Sequence, residues 1–275
     1  MNIHFKRALP PLILLLCSLS ACTPQPTDEA ANSACDCNTQ THLTAAVLFT
    51  QQSGEYKALC YQAFASAKMQ LPGAIAGVDK PAVVLDLDET VLENSPYTAW
   101  QIQNDQPFSP ETWDDWVNLA EAEEVPGVSD FLRFADSLGV HLMYISNRDT
   151  SQLDPTIANM EKLGLPQLNA EHFMLKSITS DKTERREAVE AGGYEIIMLI
   201  GDNLGDFRGE YDKPATNDER KRLAAEHNER FGRKYIVLPN TLYGTWEGAL
   251  YDYNRDIGDE ERCRLRNAAL RAPEM

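Results

Sequence analysis

The chain has 275 residues, of which 43% are hydrophobic and 8% aromatic, with 15 glycines and 15 prolines. This composition is that of an ordinary globular protein, and the length provides for one substantial core with room for a small second lobe. The formal net charge of −17 argues against a polymeric nucleic-acid partner, because the overall field repels phosphate backbones. An anionic substrate therefore needs a locally positive site.

Residues 1–21 have the pattern of an export signal. Two basic residues are followed by an apolar run at Leu12 to Leu16, which is too short to span a membrane, and small residues precede Cys22. The ending LSAC resembles a bacterial lipobox, which would make Cys22 the lipidated, palmitate-bearing first residue. We therefore predict an exported, lipid-anchored protein of the bacterial cell envelope, and Thr23 favours the outer membrane if the host is Gram-negative. An unmodified signal peptide with a chance cysteine is the alternative.

Residues 22–41 are rich in small and polar residues and predict a flexible tether. Export exposes the chain to an oxidising compartment, which permits disulfides. Four cysteines remain beyond the leader and Cys22, and they allow three pairings: Cys35, Cys37, Cys60 and Cys263. A bond between Cys60 and Cys263 would tie an N-terminal helix to the C-terminus, but the sequence leaves the pairing open.

Helix and strand patterns alternate after the tether. Apolar residues at helical spacing from Leu43 to Gln70 predict one or two amphipathic helices with a break near Ser53, and Leu71-Pro72-Gly73 is expected to end them. Strands are predicted at Ala82–Leu85, Val140–Ile145, His172–Leu175, Ile196–Ile200 and Tyr235–Leu238, with helices at Val128–Leu138, 154–163, Thr183–Ala191 and 216–231. This alternation indicates an α/β fold with a doubly wound, Rossmann-like parallel sheet.

A small, mainly helical second lobe is predicted from residues 42–75, 91–125 and the C-terminal tail. The middle segment is dense in aromatic residues: Tyr97, Trp100, Phe108, Trp113 and Trp116. Such a cluster is either the core of a small lid or the lining of a pocket for a flat ligand.

Acidic residues follow two of the predicted buried strands. Asp86 and Asp88 come directly after the first strand, and Asp202 follows the strand Ile196–Ile200. Ligands of open α/β sheets bind at the carboxyl ends of the strands. Carboxylates one residue apart crowd each other unless a cation lies between them or the strand has turned. Because hard oxygen ligands suit Mg²⁺ better than zinc, we predict a magnesium site at this edge.

Groups suited to a tetrahedral oxyanion occur beside these acids. Ser146, Asn147 and Arg148 follow the strand Val140–Ile145, and Lys182 begins the helix Thr183–Ala191, where the helix dipole also favours an anion. A chance loop and a solvated surface lysine are the alternatives. The sequence contains neither a P-loop nor a G-x-S-x-G elbow, which argues against P-loop nucleotide hydrolysis and against an α/β-hydrolase serine.

These motifs, in this order, resemble those of the haloacid dehalogenase-like phosphatases: DLDET at 86–90, Ser146, Lys182 and GDNLGD at 201–206. The stretches DLDETVLENSPY, SNR, GDNLGDF and LPNTLYGTWE are similar to the class C acid phosphatases, the bacterial lipoprotein acid phosphatase family. The likeness runs from about Leu43 to Trp246, and the lipobox agrees with it. Residues 42–275 are accordingly expected to form a haloacid dehalogenase-like phosphatase domain.

The resemblance also implies roles for individual residues. Asp86 would attack phosphorus and form an aspartyl-phosphate. Asp88 would act as general acid and base. One Mg²⁺ per chain would be held by the carboxylates of Asp86 and Asp202 and by the backbone carbonyl of Asp88. The remaining implied roles are phosphoryl binding by Ser146, Asn147 and Lys182, orientation of a metal-bound water or of Lys182 by Asp206, and an aromatic clamp on the leaving group by Trp113 and Tyr243. Lys176 is a second, less well matched lysine.

The function implied is that of a Mg²⁺-dependent acid phosphatase of the 5′-nucleotidase type, acting on phosphomonoesters and preferring nucleoside 5′-monophosphates. The alternatives are a phosphotransferase or sugar-phosphate phosphatase on the same scaffold, and a non-enzymatic surface lipoprotein that acts as an adhesin. The expected partners are a small phosphomonoester and, through the lipid on Cys22, a membrane, with a homodimer as an option. The physiological substrate, the pH optimum and the preferred metal stay open.

Overall fold

A computed structural model of the chain describes residues 40–254 and 256–275, which belong to one compact unit. The predicted signal peptide, the lipidation site Cys22, most of the tether, and Cys35 and Cys37 lie outside the described residues. Within the described ranges, no helix combines the length and the apolar character needed to cross a membrane.

The described strands form one five-stranded sheet and one short antiparallel ladder. They are β1 Pro81–Leu85, β2 Leu92–Glu93, β3 Glu123–Glu124, β4 His141–Asp149, β5 Phe173–Lys176, β6 Glu195–Gly201 and β7 Tyr235–Val237. The large sheet has the order β5-β4-β1-β6-β7, and every neighbouring pair in it is parallel. The ladder joins β2 to β3.

The central strand β1 lies between β4 and β6, with Leu85 opposite Tyr144 on one side and Ile200 on the other. The chain moves outward from β4 to β5, and then returns to the other side of β1 for β6 and β7. The connections therefore reverse direction across β1, which places the ligand-binding crevice of such sheets at its carboxyl end. The predicted doubly wound α/β fold is confirmed.

Helices cover both faces of the large sheet. The described helices are α1 Thr44–Gln52, α2 Gly54–Ala74, α3 Ser95–Asn104, α4 Pro110–Leu119, α5 Val128–Ser137, α6 Leu153–Lys162, α7 Thr183–Ala191, α8 Asn217–Glu226, α9 Thr245–Gly248 and α10 Asp259–Ala268. Val83 and Leu85 of β1 pack into the larger core with Phe64 of α2. The alternate residue Val84 faces the opposite core, with Val189 of α7. This alternation is the two-residue period of a strand buried on both sides.

The N-terminal helices largely follow the prediction. The break near Ser53 is confirmed, because the Ser53 hydroxyl accepts a hydrogen bond from the backbone N–H of Tyr56 and so caps α2. The helix was expected to end at Leu71-Pro72-Gly73, and α2 ends at Ala74, one residue later. Pro72 lies in the last turn, and the N–H of Ile75 still donates to the carbonyl of Leu71.

Two further predictions are corrected. The helix predicted at 216–231 ends as α8 at Glu226 and is followed by a separate 3₁₀ turn at Asn228–Arg230. Cys60 lies on α2 and is a free thiol, fully buried in the hydrophobic core. Cys263, in contrast, is disulfide-bonded. A bond between Cys60 and Cys263 is therefore excluded.

Candidate active site

The carboxyl ends of β1, β4 and β6 meet at one edge of the sheet and open into a cleft of about 120 Å³. The N–H of Asp86 donates to the carbonyl of Ile200 at 3.0 Å, which fixes the end of β1 against β6. Of the predicted site residues, the cleft lining includes Asp86, Asp88, Asn147, Lys182, Asp202, Asp206 and Tyr243. The sheet topology thus brings together residues that are more than 150 positions apart in the sequence.

A buried lysine joins two of the carboxylates. The Nζ of Lys182 contacts Oδ1 of Asp86 and lies 2.7 Å from Oδ1 of Asp206, and Lys182 is only 5% exposed. Burial lowers the pKa of Lys182, but the carboxylates of Asp206 and Asp86 outweigh burial, so the pKa is raised. The ammonium group therefore stays charged and provides the positive site that an acidic protein needs for an anionic substrate.

The approach of Asp206 depends on a glycine at the end of β6. A Cβ atom at Gly201 would lie 2.3 Å from Oδ2 of Asp206, a distance at which atoms overlap. The same oxygen accepts a hydrogen bond from the backbone N–H of Asn203 at 3.0 Å, which anchors the carboxylate in the loop. Gly201 is therefore required for close packing of Asp206 against the strand end.

Three carboxylates form a group that fits a hard divalent cation. One oxygen each from Asp86, Asp202 and Asp206 lies within 4.8 Å of the other two. The amide of Asn240 donates to Oδ2 of Asp202 at 2.8 Å, and the Thr90 hydroxyl lies 3.4 Å from Oδ1. Oxygen ligands at this spacing are those that Mg²⁺ prefers.

Electrostatics also favour a cation at this group. Burial, together with the neighbouring carboxylates, raises the pKa of Asp86 to about 7 and raises that of Asp202 well above its usual value. The shared negative charge is thus costly when only Lys182 compensates it. A divalent cation would lower that cost, so the residues fit the predicted metal.

The carboxylate of Asp88 has different partners. Its Oδ1 accepts hydrogen bonds from Nε of Arg148 at 2.9 Å, from Nη2 of Arg148 at 2.8 Å and from the amide of Asn94 at 3.0 Å. The remaining oxygen, Oδ2, has none of these contacts. The guanidinium of Arg148 is 2% exposed and also donates to the hydroxyl of Thr156. Arg148 was expected to suit an oxyanion, but it pairs with Asp88 instead.

Of the two predicted phosphate-binding residues of β4, Asn147 lines the cleft, whereas Ser146 is not part of its lining. Ser146 is fully buried, and its hydroxyl accepts from the N–H of Arg148 at 3.1 Å, so its own proton can still be donated. Asn147 is exposed, and its Oδ1 accepts from Nη2 of Arg185 at 2.7 Å. Because Arg185 occupies the oxygen of this amide, the NH₂ group of Asn147 is the end available to a ligand.

The two predicted clamp residues, Tyr243 and Trp113, contact different parts of the site. Tyr243 is 41% exposed as a residue, its hydroxyl donates to Oε2 of Glu89, and desolvation raises the pKa of the phenol. The ring of Trp113 lies 5.7 Å from the guanidinium of Arg148 and packs edge-on against Tyr97 at 5.2 Å. Trp113 therefore belongs to the aromatic cluster of α3 and α4 and also contacts the partner of Asp88.

Several residues that hold the site together did not emerge as site residues from the sequence. They are Glu89, Asn94, Arg185 and Asn240. All but Arg185 lie inside the stretches that carry the family resemblance, so a signal was present at those positions. What the sequence lacked was the pairing, because each contact joins elements that only the folded sheet brings together.

A doubly wound sheet with Asp-x-Asp after its central strand, a serine after the next strand, and a lysine and acids around the third is the architecture of a haloacid dehalogenase-like phosphatase. The family model of the haloacid dehalogenase (HAD) superfamily, subfamily IIIB (acid phosphatase), matches residues 14–246. The chain belongs to this family.

Solved structures agree with this assignment. The class C acid phosphatase from Bacillus anthracis is 43% identical, with a TM-score of 0.82 over 86% of this chain and 100% of that chain. A structure of the class C acid phosphatase from Bacillus anthracis with tungstate bound is 42% identical, with the same TM-score and coverage. The resemblance to class C acid phosphatases is thereby confirmed.

More distant relatives match a shorter part of the chain. The stem 31 kDa glycoprotein of Glycine max is 31% identical over 136 residues, which are 46% of this chain and 54% of that protein. Acid phosphatase 1 of Solanum lycopersicum is 25% identical over 131 residues, which are 46% of this chain and 51% of that protein. The chain thus spans about half the length of these curated relatives.

Proposed function

We propose that the protein is a Mg²⁺-dependent phosphomonoesterase that acts through an aspartyl-phosphate on Asp86. The observation that carries this proposal is the buried contact of Lys182 with both Asp86 and Asp206, beside the carboxylate of Asp202. A nucleophilic carboxylate, a positive group for the phosphoryl oxygens and a set of metal ligands thereby share one cleft. Membership of an acid phosphatase family supports the same reaction.

The phosphoryl group is bound by donors from two elements. The ammonium of Lys182, the hydroxyl of Ser146 and the amide NH₂ of Asn147 donate to its oxygens. Tungstate is a tetrahedral oxyanion, and its binding to the protein from Bacillus anthracis supports an oxyanion site in this fold. Donors of this kind typically contribute about 3–4 kcal/mol each to stabilisation of the transition state.

Asp86 and Asp88 then divide the chemistry. Because Lys182 contacts Oδ1 of Asp86, Oδ2 is the oxygen that attacks phosphorus, and the bond from phosphorus to the leaving oxygen breaks. Asp88 gives its proton to that oxygen. In the second half, Asp88 takes a proton from water, the water oxygen attacks phosphorus, and the Asp86 carboxylate and inorganic phosphate are released. Oδ2 is the oxygen of Asp88 that carries the proton, since Arg148 and Asn94 hold Oδ1.

The carboxylates of Asp86 and Asp202, with the backbone carbonyl of Asp88, would hold Mg²⁺. When bound, the metal neutralises the negative charge that nucleophile and phosphate bring together. Asp206 keeps its 2.7 Å contact with Lys182 and so holds the ammonium group in place.

The leaving group is proposed to be a nucleoside, so that nucleoside 5′-monophosphates are the preferred substrates. Tyr243 lines the cleft with a partly exposed ring, and Trp113 contacts the partner of Asp88. Stacking of a base on such rings typically contributes about 1–3 kcal/mol, which an aliphatic leaving group does not gain.

We also propose that the protein is exported and anchored in the bacterial cell envelope, in the outer membrane, by a lipid on Cys22. The lipobox-like ending of the leader supports this proposal. Labelling of growing cells with a palmitate analogue should mark the chain, and the Cys22→Ser variant should stay unlabelled and leave the membrane fraction. Label retained by Cys22→Ser would show that the lipid is attached elsewhere.

The activity is tested by phosphate release from the purified chain with a panel of phosphomonoesters. We expect turnover with Mg²⁺, loss of turnover with a chelator, recovery when Mg²⁺ is restored, and a lower KM for nucleoside 5′-monophosphates than for glycerol phosphate. Turnover that persists in the chelator would contradict the metal requirement. A KM that does not depend on the leaving group would contradict the nucleotide preference.

A further inference from the structure

Glu89 occupies an unfavourable position for its residue type. It directly follows Asp88 and has a φ of 59°, in the left-handed region that residues other than glycine rarely adopt. Its side chain is also buried, with 1% of the residue exposed. Strained backbone and a buried carboxyl group both cost stability, and such costs concentrate at functional positions. The contacts of the side chain should therefore have a function.

The carboxyl group of Glu89 accepts from two residues, and the side-chain amide of Asn94 lies 3.5 Å from Oε2 as well. Oε1 accepts from the backbone N–H of Asn94 at 2.8 Å, on the segment that follows the catalytic loop. Oε2 accepts from the hydroxyl of Tyr243, on the loop that follows β7. Glu89 thus connects the end of β1 to a residue 154 positions later.

The loop that carries Tyr243 is held at a second point. The Oδ1 of Asn240 accepts from the N–H of Leu242 at 2.8 Å, while the amide of Asn240 donates to Asp202. Asn240 therefore fixes the backbone of the loop next to Asp202, and Glu89 fixes the hydroxyl end of the Tyr243 side chain. Between these two points Tyr243 lines the cleft, and the residue as a whole is 41% exposed.

We propose that Glu89 is a positioning residue that fixes the ring of Tyr243 as a preformed wall for a flat leaving group. This inference rests on the proposed phosphomonoesterase function and deepens it. A ring anchored only through its Cβ can change rotamer, and a substrate that stacks on it must then restrict that motion. The hydrogen bond to Glu89 removes this cost before the substrate arrives, so it acts on flat leaving groups and not on aliphatic ones.

The test is a double-mutant cycle on the ratio of the KM values for a nucleoside 5′-monophosphate and for glycerol phosphate. Tyr243→Phe removes only the hydroxyl, and Glu89→Gly removes the side chain while suiting the positive φ. We expect each single variant to raise the ratio roughly fivefold, as for the loss of one hydrogen bond, and the double variant to raise it no further. Two separate effects that multiply in the double variant would overturn the proposal.

Two further variants separate positioning from a general structural effect. Glu89→Gln keeps an oxygen for the N–H of Asn94 and an NH₂ group for the tyrosine oxygen, so it should restore most of the ratio. Tyr251→Phe is the matched control, because Tyr251 donates to Glu247 at 2.8 Å in another tyrosine–glutamate pair that does not line the cleft. It should leave the ratio unchanged.

The same set of variants is then made in an Asp86→Asn background, which does not turn over substrate. For each of them the Kd of the nucleoside monophosphate is measured. Absence of phosphate release by the unaltered chain would refute the proposed function, whereas additive Kd changes would refute the role of Glu89. If Glu89→Gly does not fold, Tyr243→Phe alone decides: an unchanged KM ratio would show that the hydroxyl positions nothing.

Discussion

Asp86 and Asp88 are separated by one residue, yet their carboxylates lie in different surroundings. The first is buried against Lys182 beside two more carboxylates, and burial raises its pKa to about 7. The second has one oxygen held by Arg148 and Asn94 and the other free of them. The comparison shows that two carboxylates of one Asp-x-Asp motif acquire different surroundings through partners from other parts of the fold.

The largest effect is expected at the nucleophile. Asp86→Asn should lower phosphate release by about 10⁴-fold or more, because an amide cannot form the covalent intermediate. Rapid quenching should find no phosphoenzyme in this variant. Asp88→Asn should differ, since it can still form the intermediate from p-nitrophenyl phosphate, whose leaving group needs no proton. Identical behaviour of the two variants would break the comparison.

Removal of the lysine should have the next largest effect. Lys182→Gln leaves Asp86 and Asp206 without their shared cation and removes a donor to the phosphoryl group, so kcat/KM should fall by about 10²–10³-fold. Lys176→Gln is the matched control, because Lys176 belongs to β5 and does not line the cleft. Equal losses in both variants would show that the effect is not specific to the contact with Asp86.

Arg148 is the partner of Asp88 on the other side of the comparison. Its removal should slow the reaction most for substrates whose leaving group must be protonated. Arg148→Gln should lower kcat for a nucleoside monophosphate by about 10²-fold, and that for p-nitrophenyl phosphate far less. Arg148→Lys keeps the charge without the paired donors, so its kcat for a nucleoside monophosphate should lie between those of the unaltered chain and of Arg148→Gln. A loss that does not depend on the leaving group would place Arg148 outside the proton-transfer step.

The aromatic residues sharpen the comparison further. Trp113→Ala should raise the KM for nucleotides by about tenfold through loss of stacking, and the KM for a small aryl phosphate less. Kinetics on the two substrate classes check this directly. Equal effects on both classes would remove the clamp hypothesis.

The smallest expected effect concerns pH. Burial and the Asp88 carboxylate raise the pKa of Glu89 to about 8 from an ordinary value of 4.5. At Glu89 the folded state therefore binds more protons than the unfolded state between these values, so the contribution of Glu89 to stability is fully present below about pH 4.5 and is lost as the pH rises through about 8. In chelator-treated protein, Tm should fall over this range, and Glu89→Gln should reduce the slope. An unchanged slope would assign it to other carboxylates.

The strands of the sheet could be predicted from the sequence more completely than the contacts of the site. The strands at Ala82–Leu85 and Ile196–Ile200 were recognisable because runs of apolar residues end abruptly in acids, and β1 and β6 contain them. The end of α2 was placed one residue early, since the effect of Pro72 depends on where in the helix it lies. Residue chemistry placed the acids at one edge once the sheet was assumed.

The partners of those acids could not be predicted in the same way. Arg148 could equally have faced the phosphate, and only the folded β4 shows that its guanidinium contacts Asp88. Glu89 had no periodic or compositional signal, because its importance arises from a backbone angle and from a tyrosine on a remote loop. Contacts of this kind depend on loop conformation, which no local pattern encodes.

The missing side chain of Gly201 has a consequence for engineering. Because any added carbon atom would overlap the carboxylate of Asp206, position 201 cannot be used to tune the metal site without displacing the partner of Lys182. Attempts to change metal preference should vary Asn240, which contacts Asp202 from outside the group, and leave Gly201 fixed. In a library randomised at both positions, functional clones should retain glycine at 201 and, at 240, residues that can still donate to Asp202.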